Sequence, residues 1–307
     1  MSREIWVLED PRAGTAAQAL GLGERLGRPF RRIPLRFGRL AGLPLPFPSL
    51  LGLADREEFR APWPGLVISA GRRSAPVSRW LRARGARTVH AMRPGIGAAD
   101  FDLLVIGAHD RPAPAANLLV IQGAMHRMTP EALAAAAAQF PELAELPRPI
   151  VTLLLGGRVR AEGMEPEIAA AIARQAADHG ASVLATTSRR TGEAAADAVA
   201  SVLGKLPHRL YRWGGAGANP FRTMLAQADR LVVTGDSISM MSEALMTTAP
   251  LLIADPGGLG PRHRAMAAAL YAAGLAAPLE GGALPPPRDA VDETGRVAAE
   301  IIARGWA

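Results

Sequence analysis

The sequence predicts an α/β protein built as two parallel-sheet domains. Three observations carry that prediction. Short apolar segments alternate with helix-forming segments along almost the whole chain, a pattern that sets helices on both faces of a parallel sheet. The run FPELAELPRP, with three prolines in ten residues, interrupts the alternation near the middle and reads as a linker. The alternation then restarts and continues nearly to the end. Two alternating halves imply two Rossmann-like domains facing a cleft, over residues 1–147 and 148–288. A terminal helical segment, 289–307, follows them.

The elements run in order. In the first half, 5–9 is a strand and 15–26 a helix, then 66–69 a strand and 74–84 a helix. Short strands follow at 88–92, 103–106 and 118–121, and a helix at 129–139 that owes much to alanine propensity. In the second half, strands at 150–155, 182–186 and 209–212 alternate with helices at 166–179 and 193–203. The stretch RLVVTGDSISMMSEALMTTAPLLI, 230–253, reads as strand, polar hinge, helix and strand. Helices at 262–273 and 289–304 complete the chain, with the triple proline at 285–287 breaking it between them.

Composition bounds the function. At 307 residues and 49% hydrophobic content the chain can build two cores. It has no cysteine, which excludes disulfides and thiolate metal sites and fits a reducing, cytoplasmic compartment. No apolar run approaches the ~20 residues that span a bilayer. The amino terminus enters a strand directly, so no signal peptide is expected. The formal net charge is +7, and Lys205 is the only lysine. A GC-rich genome that writes arginine for lysine accounts for this balance; forked donors gripping phosphates would account for it too. Basic residues are densest over 28–39, among Phe30, Leu35, Phe37 and Leu40. The stretch Arg28–Leu40 could therefore touch the inner face of an anionic membrane. Its prolines favour a loop packed on its own domain. No nucleic-acid motif accompanies the charge, so nucleic acid is not an expected partner.

Ligands of open α/β sheets bind beyond the carboxyl ends of the strands, so polar residues just after strands are the candidates. The hinge comes first. A helix start there offers unpaired N–H groups to a phosphate, Ser237 and Ser239 add hydroxyls, and Met240 lies among small residues that let a ligand approach. Glu243 falls in the second turn, where its carboxylate could accept two ribose hydroxyls. The alternative is capping by Asp236 or Ser237, with Glu243 a solvated helix acid. In VTLLLGGRV, Gly156 and Gly157 would let backbone approach a ligand and Arg158 would neutralise a diphosphate, although a plain strand–helix turn looks similar. In ATTSRRTGE, Ser188, Arg189, Arg190 and Thr191 crowd another strand end with donors, although a solvated loop before an N-capped helix looks similar. Trp213 could stack on a base or pack half-buried.

In the first half, Asp10, Gly14 and Thr15 occupy the first strand–helix turn, Arg72 the next, and His126 a later one. His109 and Asp110 follow a strand, and a histidine beside a carboxylate there is a general-base candidate or a surface turn. Several motifs are excluded. The glycines at 21, 23 and 27 fall inside the first helix, not after a strand. Gly204-Lys205-Leu206 fails as a P-loop, Lys205 has no tyrosine four residues before it, and the histidines have no zinc spacing. Ser237, Asp255 and His263 follow in the chain order of a serine hydrolase, which stays open as a rival.

These motifs carry a resemblance. The hinge resembles the nucleotide-sugar region of GT-B glycosyltransferases, including the GlcNAc transferases of peptidoglycan synthesis. Taken together, AGT and QALGL of the first turn, SAGRRSAP, AHD, LLGG, TSRRT, NPF and TGDSISMMSEA resemble the bacterial relatives of the plant elongated-mitochondria fission factor, over nearly the whole chain. Such relatives often carry an epimerase name, against which the missing Tyr–Lys pair argues. The resemblance implies a GT-B fold whose final helix crosses back to the N-terminal domain. It implies a nucleoside-diphosphate sugar as substrate, with no cofactor or metal. Glu243 would hold the ribose, and Ser237, Ser239 and Met240 would meet the diphosphate, closed in by Gly157, Ser188 and Arg189. His109 or Asp110 would face an acceptor that could be lipid-linked. The plant link implies an alternative, a binding or scaffold protein without turnover.

Overall fold

A computed structural model describes residues 4–43, 47–157, 164–281, 283–286 and 288–307. The chain forms two compact units: one runs to Arg127 and regains Asp292–Ala307, the other is Met128–Val291. The first holds β1 (Ile5–Glu9), α1 (Ala13–Arg25), β2 (Phe30–Pro34), β3 (Leu66–Ala70), α2 (Ala75–Arg82), β4 (Arg87–Ala91), β5 (Leu103–Gly107) and β6 (Leu118–Ile121). The second holds α3 (Pro130–Ala136), β7 (Ile150–Leu155), α4 (Pro166–Ala177), β8 (Ser182–Thr187), α5 (Glu193–Leu203), β9 (His208–Tyr211) and α6 (Phe221–Gln227). It continues with β10 (Arg230–Thr234), α7 (Ile238–Ala244), β11 (Leu251–Ala254), α8 (Pro261–Ala272) and β12 (Ala277–Pro278). The terminal helix α9 (Glu293–Ala303) belongs to the first unit.

Each unit is built on a six-stranded parallel sheet, in the orders β2-β1-β3-β4-β5-β6 and β12-β11-β10-β7-β8-β9. Strands covered on both faces read as continuous apolar runs, and β3, β5 and β7 bury every residue. In the first unit, Ala19 and Leu22 of α1 and Val297 and Ile301 of α9 pack with Val7, Ile68 and Val105 of the sheet. Asp292 caps α9 through the Gly295 N–H (2.8 Å) and pairs with Arg25 of α1. The GT-B expectation that the final helix returns to the first unit is met by this packing.

On the other face of that sheet, residues of the β2–β3 connection pack beside α2. Leu53, Phe59 and Trp63 pack with Trp6, Val67 and Leu81, and Trp6 meets Phe59 and Trp63 edge-on at 6.4 Å.

Three local differences from expectation have physical causes. Strand β2 lies within the basic stretch read as a loop. It is an edge strand burying little besides Ile33, so it shows no apolar run. Its arginines are engaged, Arg32 with Glu9 and Arg31 with Glu58. The proline-rich stretch lies inside the second unit, where Leu143 packs with Ile150, Leu184 and Met224. Helix α3, started by Thr129 accepting from the Ala132 N–H (3.0 Å), stops at Ala136, whose carbonyl accepts the Thr223 hydroxyl (2.7 Å).

Candidate functional site

In the second unit the chain passes from β7 to β8 on one side, while β10 pairs with β7 on the other. Such a switch point is where open α/β sheets bind ligands. The turns after β7, β8 and β10 meet there in one hydrogen-bonded hub centred on Asp236, which is 2% exposed. Its Oδ2 accepts from the Gly157 N–H (2.8 Å) and pairs with Arg190 Nη2 (2.8 Å). Arg190 also donates to the Gly157 carbonyl (3.3 Å). The Gly156 N–H donates to Thr234 Oγ1 (2.7 Å), and the Ser188 hydroxyl to the Gly156 carbonyl (2.9 Å). This packing requires both glycines: a Cβ on Gly156 would overlap the Asp236 carboxylate, and one on Gly157 the Arg190 carbonyl. Arg158 lies outside the described residues.

Ser237 is the N-cap of α7, its Oγ accepting from the Met240 N–H (3.4 Å). Capping is thus one use of this hydroxyl. Ser239 is exposed, and Met240 packs against the core. Glu243 sits in the second turn, partly buried. Among the described residues nothing hydrogen-bonds its carboxylate or pairs with it. Burial pushes its carboxyl up to about 7, with a smaller opposing pull from Arg222. Arg189 is exposed, and Trp213 is 56% exposed, its backbone N–H donating to Thr187 Oγ1 (2.8 Å). The hydrolase set does not assemble among the described residues: Asp255 Oδ1 accepts from the Gly257 N–H (2.8 Å), and no hydrogen bond links Ser237 to His263.

Asp236 and Arg190 emerge as centres only in the structure. Sequence reasoning had them as a cap and a loop donor. The available signal was the double glycine after β7, which marks a close approach without naming what approaches.

The first unit has its own switch point, between β1 and β3. Asp10, 3% exposed, accepts from Arg73 Nη2 and from the Arg12 N–H at 2.7 and 2.8 Å. Gly14 and Thr15 lie in the first turn of α1, and Arg72 is exposed after β3. His109 and Asp110 form a single 3-10 turn after β5. His109 is buried, and its Nε2 lies 3.9 Å from Asp110 Oδ2, an electrostatic contact too long for a hydrogen bond. His126 is not at a strand end: it is buried, and its backbone exchanges hydrogen bonds with Thr294 Oγ1 of α9.

A family model described as Mitochondrial fission ELM1 matches residues 13–305. The chain belongs to that family. Mitochondrial fission protein ELM1 of Arabidopsis thaliana is 25% identical over 291 residues, covering 82% of this chain and 67% of the plant protein. The fold is shared with the calicheamicin glycosyltransferase CalG4, at a TM-score of 0.53, 14% identity, and coverage of 100% of this chain and 95% of that one. It is shared also with a UDP-GlcNAc 2-epimerase of Neisseria meningitidis bound to UDP-GlcNAc, at 0.50, 12%, 98% and 91%. At such identities the likeness concerns the GT-B fold alone. It does correct one inference: a 2-epimerase shares this ELM1-family fold, so the missing Tyr–Lys pair excludes only epimerases built on that pair.

Proposed function

We propose that the second unit binds a nucleoside-diphosphate sugar beside the β7/β10 switch point and that the protein is a metal-independent, inverting glycosyltransferase. The observation that carries the reading is Glu243. A partly buried carboxylate without a partner costs stability, and a ribose diol offers two O–H donors that would relieve it. The diphosphate would lie near Ser237, Ser239 and Arg189, with Gly156, Gly157 and Ser188 shaping the floor and Trp213 available to stack on the base. In the transfer step, His109 or Asp110 takes the acceptor hydroxyl proton. The acceptor oxygen bonds to the anomeric carbon as the bond from that carbon to the diphosphate oxygen breaks, and the nucleoside diphosphate departs. The 2-epimerase of the same fold bound to UDP-GlcNAc supports the ligand class.

The test is thermal shift of the full chain with nucleoside diphosphates and their sugars. UDP or a relative is expected to raise the melting temperature, and Glu243→Ala to abolish the rise. No response to any nucleotide would overturn the reading. ELM1 family membership favours a second reading, a scaffold that binds without turnover. It predicts a thermal shift with no release of nucleoside diphosphate from any sugar nucleotide.

A further inference from the structure

Parallel strands place all their carboxyl ends on one edge, and in the first unit five successive turns on that edge carry arginine. Arg12 follows β1, Arg36 follows β2, Arg72 and Arg73 follow β3, Arg93 follows β4 and Arg111 follows β5. Arg73 is spent on Asp10, and Arg93 donates to the Asp110 carbonyl. The side chains of Arg12, Arg36, Arg72 and Arg111 are exposed, with no hydrogen bond or ion pair among the described residues. The acids of this edge, Asp10 and Asp110, are turned inward, their side chains 3% and 10% exposed.

Elsewhere in the unit, Arg25, Arg31, Arg32, Arg82, Arg87 and Arg127 each meet a carboxylate, while Arg28, Arg39, Arg56 and Arg60 are exposed and meet none among the described residues; what sets this edge apart is that Arg36, Arg12 and Arg72 follow strands that lie side by side in the sheet. Two turns of the edge also hold non-glycine residues in the left-handed region, Met92 at φ 72° and Arg111 at φ 46°, the two such residues among those described. The same edge carries the start of α1, which has no acidic residue in its first turn.

From this arc we infer that the carboxyl edge of the first unit is a binding site for a phosphate- or diphosphate-bearing molecule. Planar guanidiniums suit phosphate oxygens in forked pairs, and an arc of them with the acids buried attracts multiply charged anions. That this molecule is the acceptor rests on the transfer reading above; the anion site itself does not.

The test is titration calorimetry of the full chain with inorganic pyrophosphate, comparing wild type, Arg12→Gln/Arg72→Gln and Glu243→Ala. Pyrophosphate is expected to bind wild type and Glu243→Ala alike. It should bind the double variant weaker by about tenfold for each guanidinium removed. Both arginines are exposed and unpaired, so the double variant should melt with wild type. Wild-type affinity in the double variant, or no binding at millimolar pyrophosphate, overturns the inference. If pyrophosphate binds and no nucleotide does, the transfer reading fails and the anion site stands.

Sedimentation with phosphatidic acid vesicles separates the sources. Binding that requires Arg12 and Arg72 assigns the phosphate to a lipid, and pyrophosphate binding without vesicle binding assigns it to a soluble molecule. A short RNA that binds and is not displaced by pyrophosphate would overturn the small-anion assignment.

Discussion

Glu243→Gln should make the protein more stable, and only above acidic pH. Burial lifts this carboxyl from 4.5 to about 7. At ~1.4 kcal/mol per tenfold change, ionising it costs the folded state ~3 kcal/mol. Part of the side chain stays accessible, and screening trims the figure to ~2 kcal/mol. The sign follows from proton counts. The folded state holds this proton up to about pH 7, whereas the unfolded chain releases it near 4.5. Stability therefore falls as pH rises between those values and is flat above them. Glutamine cannot ionise, so its curve lacks that fall. The two proteins should unfold at similar urea midpoints at pH 4.5 and diverge by ~2 kcal/mol at pH 8, or roughly 4–8 °C in melting temperature for a unit of this size. UDP should narrow the gap, because ribose hydroxyls favour the ionised carboxylate. A gap that does not change with pH, or a glutamine variant less stable at pH 8, would refute the claim that this carboxylate is desolvated and unpaired.

Other outcomes follow from the same geometry. Arg190→Ala strips the partner from a carboxylate that is 1% exposed and should cost roughly 3–5 kcal/mol in denaturant unfolding; a loss below 1 kcal/mol would show that Asp236 is already satisfied. Gly157→Ala drives a methyl into the Arg190 carbonyl and should destabilise by at least ~2 kcal/mol, whereas Gly214→Ala, with open space around it, should cost about 1 kcal/mol from its positive φ. His90 is fully buried, bonded to Ser69 Oγ at 2.8 Å and stacked on Phe101, and burial lowers its pKa to about 3. The unfolded chain takes up this proton first as pH falls below 6.5, so stability should drop by several kcal/mol between pH 6.5 and 3. His90→Asn should flatten that limb of the curve, and an unchanged limb would place the acid sensitivity elsewhere.

The fold was legible because buried parallel strands write themselves as apolar runs. LVISA, LLVIG and IVTLLL are such runs, and each is a central strand. Edge strand β2 was not legible, since FRRIP puts mainly one side chain inward. The strand ends located the turns that meet beside the β7/β10 switch point, and the helix after β10 was legible with Glu243 in its second turn. What sequence could not supply was pairing across strands. Asp236 looks like one more helix cap until Gly157 and Arg190, which lie 79 and 46 positions away, are brought onto it by three different strands. His126 shows the complementary limit: sequence does not announce that its side chain is buried, or that its backbone bonds to Thr294 of a helix 168 positions on.

The two switch points share one device and differ in what they leave exposed. Each buries an aspartate after a strand, Asp10 or Asp236, and ties to it an arginine from a neighbouring turn, Arg73 or Arg190. Pairing makes each hub close to neutral and holds the turns at fixed geometry, so affinity depends on the groups around the hub. In the first unit those groups are permanently charged guanidiniums; in the second, the group is a carboxyl that titrates near neutrality. The two units should therefore answer to different variables. Pyrophosphate binding at the first should weaken steeply with salt and change between pH 6 and 8 only as the anion itself loses its proton, equally in wild type and Glu243→Gln. Nucleotide binding at the second should change less with salt and strengthen as pH rises through 7, as the carboxylate becomes available to accept. Titrations over both variables test this directly: a shared salt slope and a shared pH profile would mean that one site, not two, accounts for both ligands.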